Sequence, residues 1–80
     1  MKSRQGYKGY VIEARSSELK DGGFSAEFSI EEHDAYGVTE RHFYLTSAFS
    51  TPESAIESAI RAGRQKIGVD CGWGRAVVNG

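Results

Sequence analysis

Phe24-Ser25-Ala26-Glu27-Phe28-Ser29-Ile30-Glu31 alternates apolar and polar side chains over eight residues. Successive side chains of a β-strand point to opposite faces, so this alternation predicts a half-buried antiparallel strand. Phe24, Ala26, Phe28 and Ile30 then face a core, while Ser25, Glu27, Ser29 and Glu31 face water. The segment Tyr10-Val11-Ile12-Glu13-Ala14-Arg15 reads as a preceding strand with Tyr10, Ile12 and Ala14 inward. The connection between the two ends in Asp21-Gly22-Gly23, a turn signal because glycine accepts positive φ at no steric cost.

Downstream, Asp34-Ala35-Tyr36-Gly37 has turn composition, and Thr39 to Thr46 reads as a third strand with Phe43 and Leu45 inward and Glu40, His42 and Tyr44 outward. If residues 34–37 form a hairpin loop, His33 lies opposite Val38, Glu31 opposite Glu40, Phe28 opposite Phe43 and Ala26 opposite Leu45. Every apolar side chain then lands on one face, an agreement that a slip of one residue would destroy.

The Thr51-Pro52-Glu53 stretch starts a helix, with a hydroxyl at the N-cap, proline in the first helical position and an acid at the positive end of the dipole. Ile56, Ala59, Ile60, Gly63 and Ile67 form one apolar stripe, predicting a helix over residues 52–67. Glycine inside a helix costs about 1 kcal/mol relative to alanine. Gly63 on the buried stripe therefore implies that helix and sheet approach too closely for a Cβ. The expected fold is α+β: a three-stranded antiparallel β-meander packed against one C-terminal α-helix. Its ordered core spans residues 7–67 of a single domain, with residues 1–6 as an arm and 68–80 as a tail.

Chain-wide quantities narrow the function. Eighty residues suit one domain. Hydrophobic residues at 39% exclude a disordered chain, and a mean hydropathy of -0.47 excludes a membrane protein. A lone cysteine, Cys71, allows no internal disulfide, and no apolar run follows the N-terminal charges, so a cytoplasmic protein is expected. The net charge of -1 hides three blocks, +3 over residues 1–20, -7 over 21–60 and +3 over 61–80.

The outward sheet face holds the candidate sites. Glu31 and Glu40 with His33 or His42 have the donor types of a divalent-metal site, but the histidines flank the carboxylates on opposite sides. A hydrophilic sheet surface with no metal and no cofactor is the expectation. Tyr44 lies on the same face, and parity adds Tyr7 and Val11. Tyr7, Val11, Glu31, Glu40, His42 and Tyr44 thus make a candidate surface for a protein partner or a second copy of the chain. No catalytic residues are expected: Ser17-Glu18-Leu19-Lys20 has the S-x-x-K spacing without its companion motifs, and Gly72-Trp73-Gly74 lacks the third glycine of a dinucleotide fingerprint. The different-class alternative is a weak nucleic-acid-binding regulator using Lys2, Arg4 and Lys8 in the arm with Arg61, Arg64 and Lys66 near the helix end.

The strand-strand-strand-helix order over residues 7–67 resembles the core of a double-stranded-RNA-binding domain without its first helix, and sheet-reading DNA-binding domains of the integrase-arm type. The binding chemistry departs from both. Thr51-Pro52-Glu53-Ser54 stands where the former has lysines, and Glu27, Glu31 and Glu40 stand where the latter needs arginines. Tyr7-Lys8-Gly9-Tyr10-Val11-Ile12-Glu13-Ala14, Gly23-Phe24-Ser25-Ala26, Phe43-Tyr44-Leu45 and Ala62-Gly63-Arg64 also resemble a family of short uncharacterised proteobacterial proteins, a domain of unknown function. That resemblance spans most of the chain and implies no known activity.

Overall fold

In a computed structural model describing residues 1–70 (side chains 1–68), one antiparallel sheet carries a single helix. The elements are β1 (Lys2–Tyr7), β2 (Tyr10–Arg15), β3 (Glu27–Asp34), β4 (Gly37–Tyr44) and α1 (Pro52–Asp70). The sheet order is β1-β2-β3-β4, a pure meander. The fold is α+β as expected, but with four strands rather than three, because residues 2–6 belong to a strand and not to an arm. The β-β-β-β-α order therefore has one strand more than the core it was compared with. Cys71 and the Gly72-Trp73-Gly74 stretch lie outside the described residues.

The added strand turns back through Lys8-Gly9, at φ +52° and +85°. Positive φ at both central residues is what a two-residue type I′ hairpin demands, and lysine is an expensive occupant of that region. Lys8→Asn should therefore raise the melting temperature by several degrees, as roughly 1 kcal/mol does in a domain of this size. A thermal melt that shows no gain would count against strain at this turn.

The three downstream expectations hold with shifted ends. In the β3–β4 ladder Phe28 faces Phe43, Glu31 faces Glu40 and His33 faces Val38, the register that parity gives. The ladder closes on Asp34↔Gly37, so the loop itself is Ala35-Tyr36, with the Tyr36 amide donating to Asp34 Oδ1 at 2.8 Å and Gly37 at φ +132°. Phe24 leaves the β3 ladder because its backbone pairs with Phe49, N to O 2.8 Å and O to N 2.9 Å. Thr51 caps the helix as expected: its Oγ1 accepts from the Ser54 amide at 3.0 Å. The helix continues past residue 67 to Asp70.

The core lies between the central strands and the helix. Ile12 and Ala14 of β2, Phe28 and Ile30 of β3, and Ala26 pack against Ala55, Ala59, Ile60 and Ile67. Phe28 and Phe43 stack, ring centroids 4.9 Å apart. Ile56, placed on the stripe, is only partly buried, while Ala55 is fully buried in the core. A Cβ on Gly63 would lie 2.9 Å from Cγ2 of Ile12, so the close approach inferred for this glycine is present.

Candidate functional site

The face of the sheet that α1 leaves open is built from alternate residues of all four strands. The registers stack them in cross-strand rows: Lys2, Arg15, Glu27 and Tyr44; then Arg4, Glu13, Ser29 and His42; then Gly6, Val11, Glu31 and Glu40. His33 and Val38 extend the face at the hairpin end. Directly opposed side chains in an antiparallel pair lie on one face about 4.5–5.5 Å apart, close enough to interact.

These rows form an ion-pair lattice. Glu13 lies 3.7 Å from Lys2, 4.0 Å from Arg4 and 3.1 Å from Arg15. Arg4 reaches on to Glu31 at 3.4 Å, Arg15 to Glu27 at 3.8 Å, and Arg15 also approaches His42 Nδ1 at 3.4 Å. Each histidine meets the carboxylate two residues before it, His33 with Glu31 at 3.2 Å and His42 with Glu40 at 3.7 Å. The face holds four acids (Glu13, Glu27, Glu31, Glu40) against three permanent cations (Lys2, Arg4, Arg15). It is zwitterionic, where the sequence alone suggested an acidic sheet. Ser29, expected in water, is 0% exposed beneath this lattice, and its hydroxyl has no hydrogen-bond partner.

Carboxylate oxygens of Glu13, Glu31 and Glu40 lie within 4.8 Å of one another. Spacing alone would admit a cation, but each carboxylate already faces a basic group: Lys2, Arg4 and Arg15 for Glu13, Arg4 and His33 for Glu31, and His42 for Glu40. Glu13 joins the cluster only once β2 pairs with β3, so within the sequence its one signal is its outward parity next to Ile12.

A hydrogen bond from His33, then one from Arg4, holds the Glu31 carboxyl below its ordinary value of 4.5. A carboxylate accepts only, so His33 Nε2 carries the proton in this contact. A carboxyl whose pKa is depressed by folding adds stability above its unfolded pKa, and that stability is lost as pH falls through the folded value. Glu31→Gln should therefore lower the melting temperature at pH 7, and its curve should draw toward that of the parent as pH falls below 4.5. Parallel curves down to pH 3 would remove Glu31 from the acid response.

The candidate partner residues divide. Val11, Glu31, Glu40, His42 and Tyr44 lie on the open face, as expected. Tyr7 does not. It pairs with Tyr10 across the hairpin, which puts it on the helix side against the core. Parity places Tyr7 on the open face only if the chain stays extended through Lys8-Gly9, and the two-residue turn resets it. There Lys8 Nζ and Arg64 Cζ lie 5.7 Å and 5.6 Å from the centre of the Tyr7 ring, and Arg64 also donates to Gln5 Oε1 through Nε at 3.2 Å.

The six cations of the nucleic-acid alternative are likewise divided between two sides. Lys2 and Arg4 lie among carboxylates on the open face. Lys8 and Arg64 meet at Tyr7, Arg61 lines a cleft with Gln5, Glu57, Ile60 and Arg64, and Lys66 lies 5.1 Å over Phe43. A second open cleft is lined by Met1, Lys2, Ser3, Glu53, Ile56 and Glu57. No helix among the described residues is long and apolar enough to cross a membrane.

Compared with known protein families, residues 1–79 match the model of a domain of unknown function, DUF6566. No curated protein and no solved structure matches the chain.

Proposed function

The chain belongs to the DUF6566 family of domains of unknown function, and from the geometry of its open face we propose that it is a small non-catalytic binding or adaptor module. Its β3–β4 side receives a protein partner or a second copy of itself. One observation carries this reading. Of the four large hydrophobic residues exposed among the described residues, three, Tyr36 (99%), Val38 (60%) and Tyr44 (73%), sit on β4 or the turn that leads into it, and the fourth, Met1, precedes β1. Tyrosine with an aliphatic neighbour, rimmed by satisfied charges, is the composition of a protein contact surface. The single thiol supports a reducing, cytoplasmic setting, and the sequence resemblance a bacterial one.

A photo-crosslinking residue at position 38 or 44, in cells expressing the protein, should give one discrete adduct whose mass identifies the partner. The same residue at Glu57, on the exposed side of α1, should give none. No adduct from positions 38 and 44 overturns the reading. So does tight binding of labelled DNA or RNA that weakens steeply with salt, which would establish the nucleic-acid alternative instead.

A further inference from the structure

We propose that the free edge of β4 pairs antiparallel with β4 of a second copy, in the register that sets Arg41 opposite Arg41 across a two-fold axis. This rests on the partner-binding reading of the β3–β4 side and identifies the partner.

The backbone selects which residues can bond across the edge. The Leu45 amide donates to Ala26 O at 2.9 Å, so this residue turns its peptide groups toward β3. Peptide groups alternate sides along an antiparallel strand, so those of Phe43, Arg41 and Thr39 also face β3. The amides and carbonyls of Val38, Glu40, His42 and Tyr44 then point out from an edge strand, a template for another chain.

Only even-numbered residues can therefore oppose even-numbered ones. Three such registers keep most of the strand paired. Centring on Glu40 sets that carboxylate against itself. Centring on His42 sets imidazole against imidazole and carries Val38 past the end of the partner strand. Centring on Arg41 pairs Glu40 with His42 twice and Val38 with Tyr44 twice, and uses all the outward peptide groups of Gly37–Tyr44. At the inner pairs an imidazole, which can donate, meets a carboxylate, which accepts, and the exposed apolar side chains cover each other at the outer ones. Faces are preserved in this arrangement, giving an eight-stranded sheet with both helices on one side. The other edge, β1, carries Lys2 and Arg4 and no acid, so self-pairing there meets repulsion. The opposed Arg41 side chains on the helix face weaken the β4 contact and keep it reversible.

The test uses the full chain with Cys71→Ser. Sedimentation should show a monomer–dimer equilibrium, and Arg41→Thr should tighten it about fivefold by removing the like-charged pair. A non-hydrogen-bonded antiparallel pair places its Cα atoms about 4.5 Å apart, within disulfide range. Mild oxidation should then link Arg41→Cys to itself, and Glu40→Cys to His42→Cys in a mixture. A monomer at all concentrations, a polymer that grows with concentration, or linkage of Glu40→Cys or His42→Cys alone overturns the inference. If a monomer still yields a photo-adduct with another protein from position 38, self-pairing falls and the binding reading stands. If it yields none, both fall.

Discussion

Gly63→Leu should abolish cooperative unfolding, leaving a chain with no sharp thermal transition. The Cβ alone would meet Ile12 at Cγ2 (2.9 Å), Cδ1 (3.2 Å) and Cγ1 (3.4 Å). Neither side can give way readily. Ile12 is 0% exposed on β2, held between β1 and β3, and Gly63 is fixed by helix residues buried on either side of it, Ala59, Ile60 and Ile67. Overpacking costs about 1–3 kcal/mol for added methylenes that can be partly absorbed. A whole leucine must instead lift the helix off the sheet, exposing the core packed between them. Against a total stability of roughly 4–12 kcal/mol for a chain of this length, that is decisive. A Gly63→Leu melt within 2 °C of the parent (about 0.5 kcal/mol) would refute the packing described here.

Ile12→Ala should cost about 2–5 kcal/mol in urea unfolding, the range for truncating a fully buried isoleucine. The same loss at Ile56, which is only partly buried, should be clearly smaller. The two sites are also coupled. Gly63→Ala gains roughly 1 kcal/mol of helix propensity but meets the Ile12 side chain, so it should destabilise the parent protein. In the Ile12→Ala background that obstacle is gone, and Gly63→Ala should become stabilising. A change of sign across the double-mutant cycle is specific to this contact; additive effects would mean that the helix does not approach the sheet at this point.

How legible these features are in the sequence depends on the range over which each is decided. The β3–β4 hairpin is local. A turn composition at residues 34–37 and uninterrupted alternation before it leave one register that buries all the apolar residues, and that register is the one observed. The helix start is local too, since the Thr51 hydroxyl and Pro52 satisfy requirements within a single turn. β1 was not legible. Its helix-side residues are Ser3, Gln5 and Tyr7, so no apolar alternation marks it, and Lys8-Gly9 lacks the Asn-Gly or Asp-Gly composition that usually announces a type I′ turn. An edge strand gains its place from backbone pairing with β2, a contribution that leaves little trace in side-chain pattern.

The candidate site divides along the same line. Glu31 opposite Glu40, with a histidine beside each, follows from one hairpin and its parity. Glu13, Arg4, Lys2 and Arg15 join them only because β2 closes on β3 across a long loop and β1 then folds onto β2. That closure turns an apparently acidic face into a balanced one, takes Lys2 and Arg4 out of any basic patch, and moves Tyr7 to the helix side. By itself, then, the amino-acid order determined what the backbone and its nearest neighbours can decide: an α+β chain, one hairpin register, a capped helix and a glycine held against the sheet. Tertiary structure alone decided the charge of the open face and which strand edges remain free. Electrostatic balance and edge exposure are sums over strands distant in sequence, and no local pattern carries a sum.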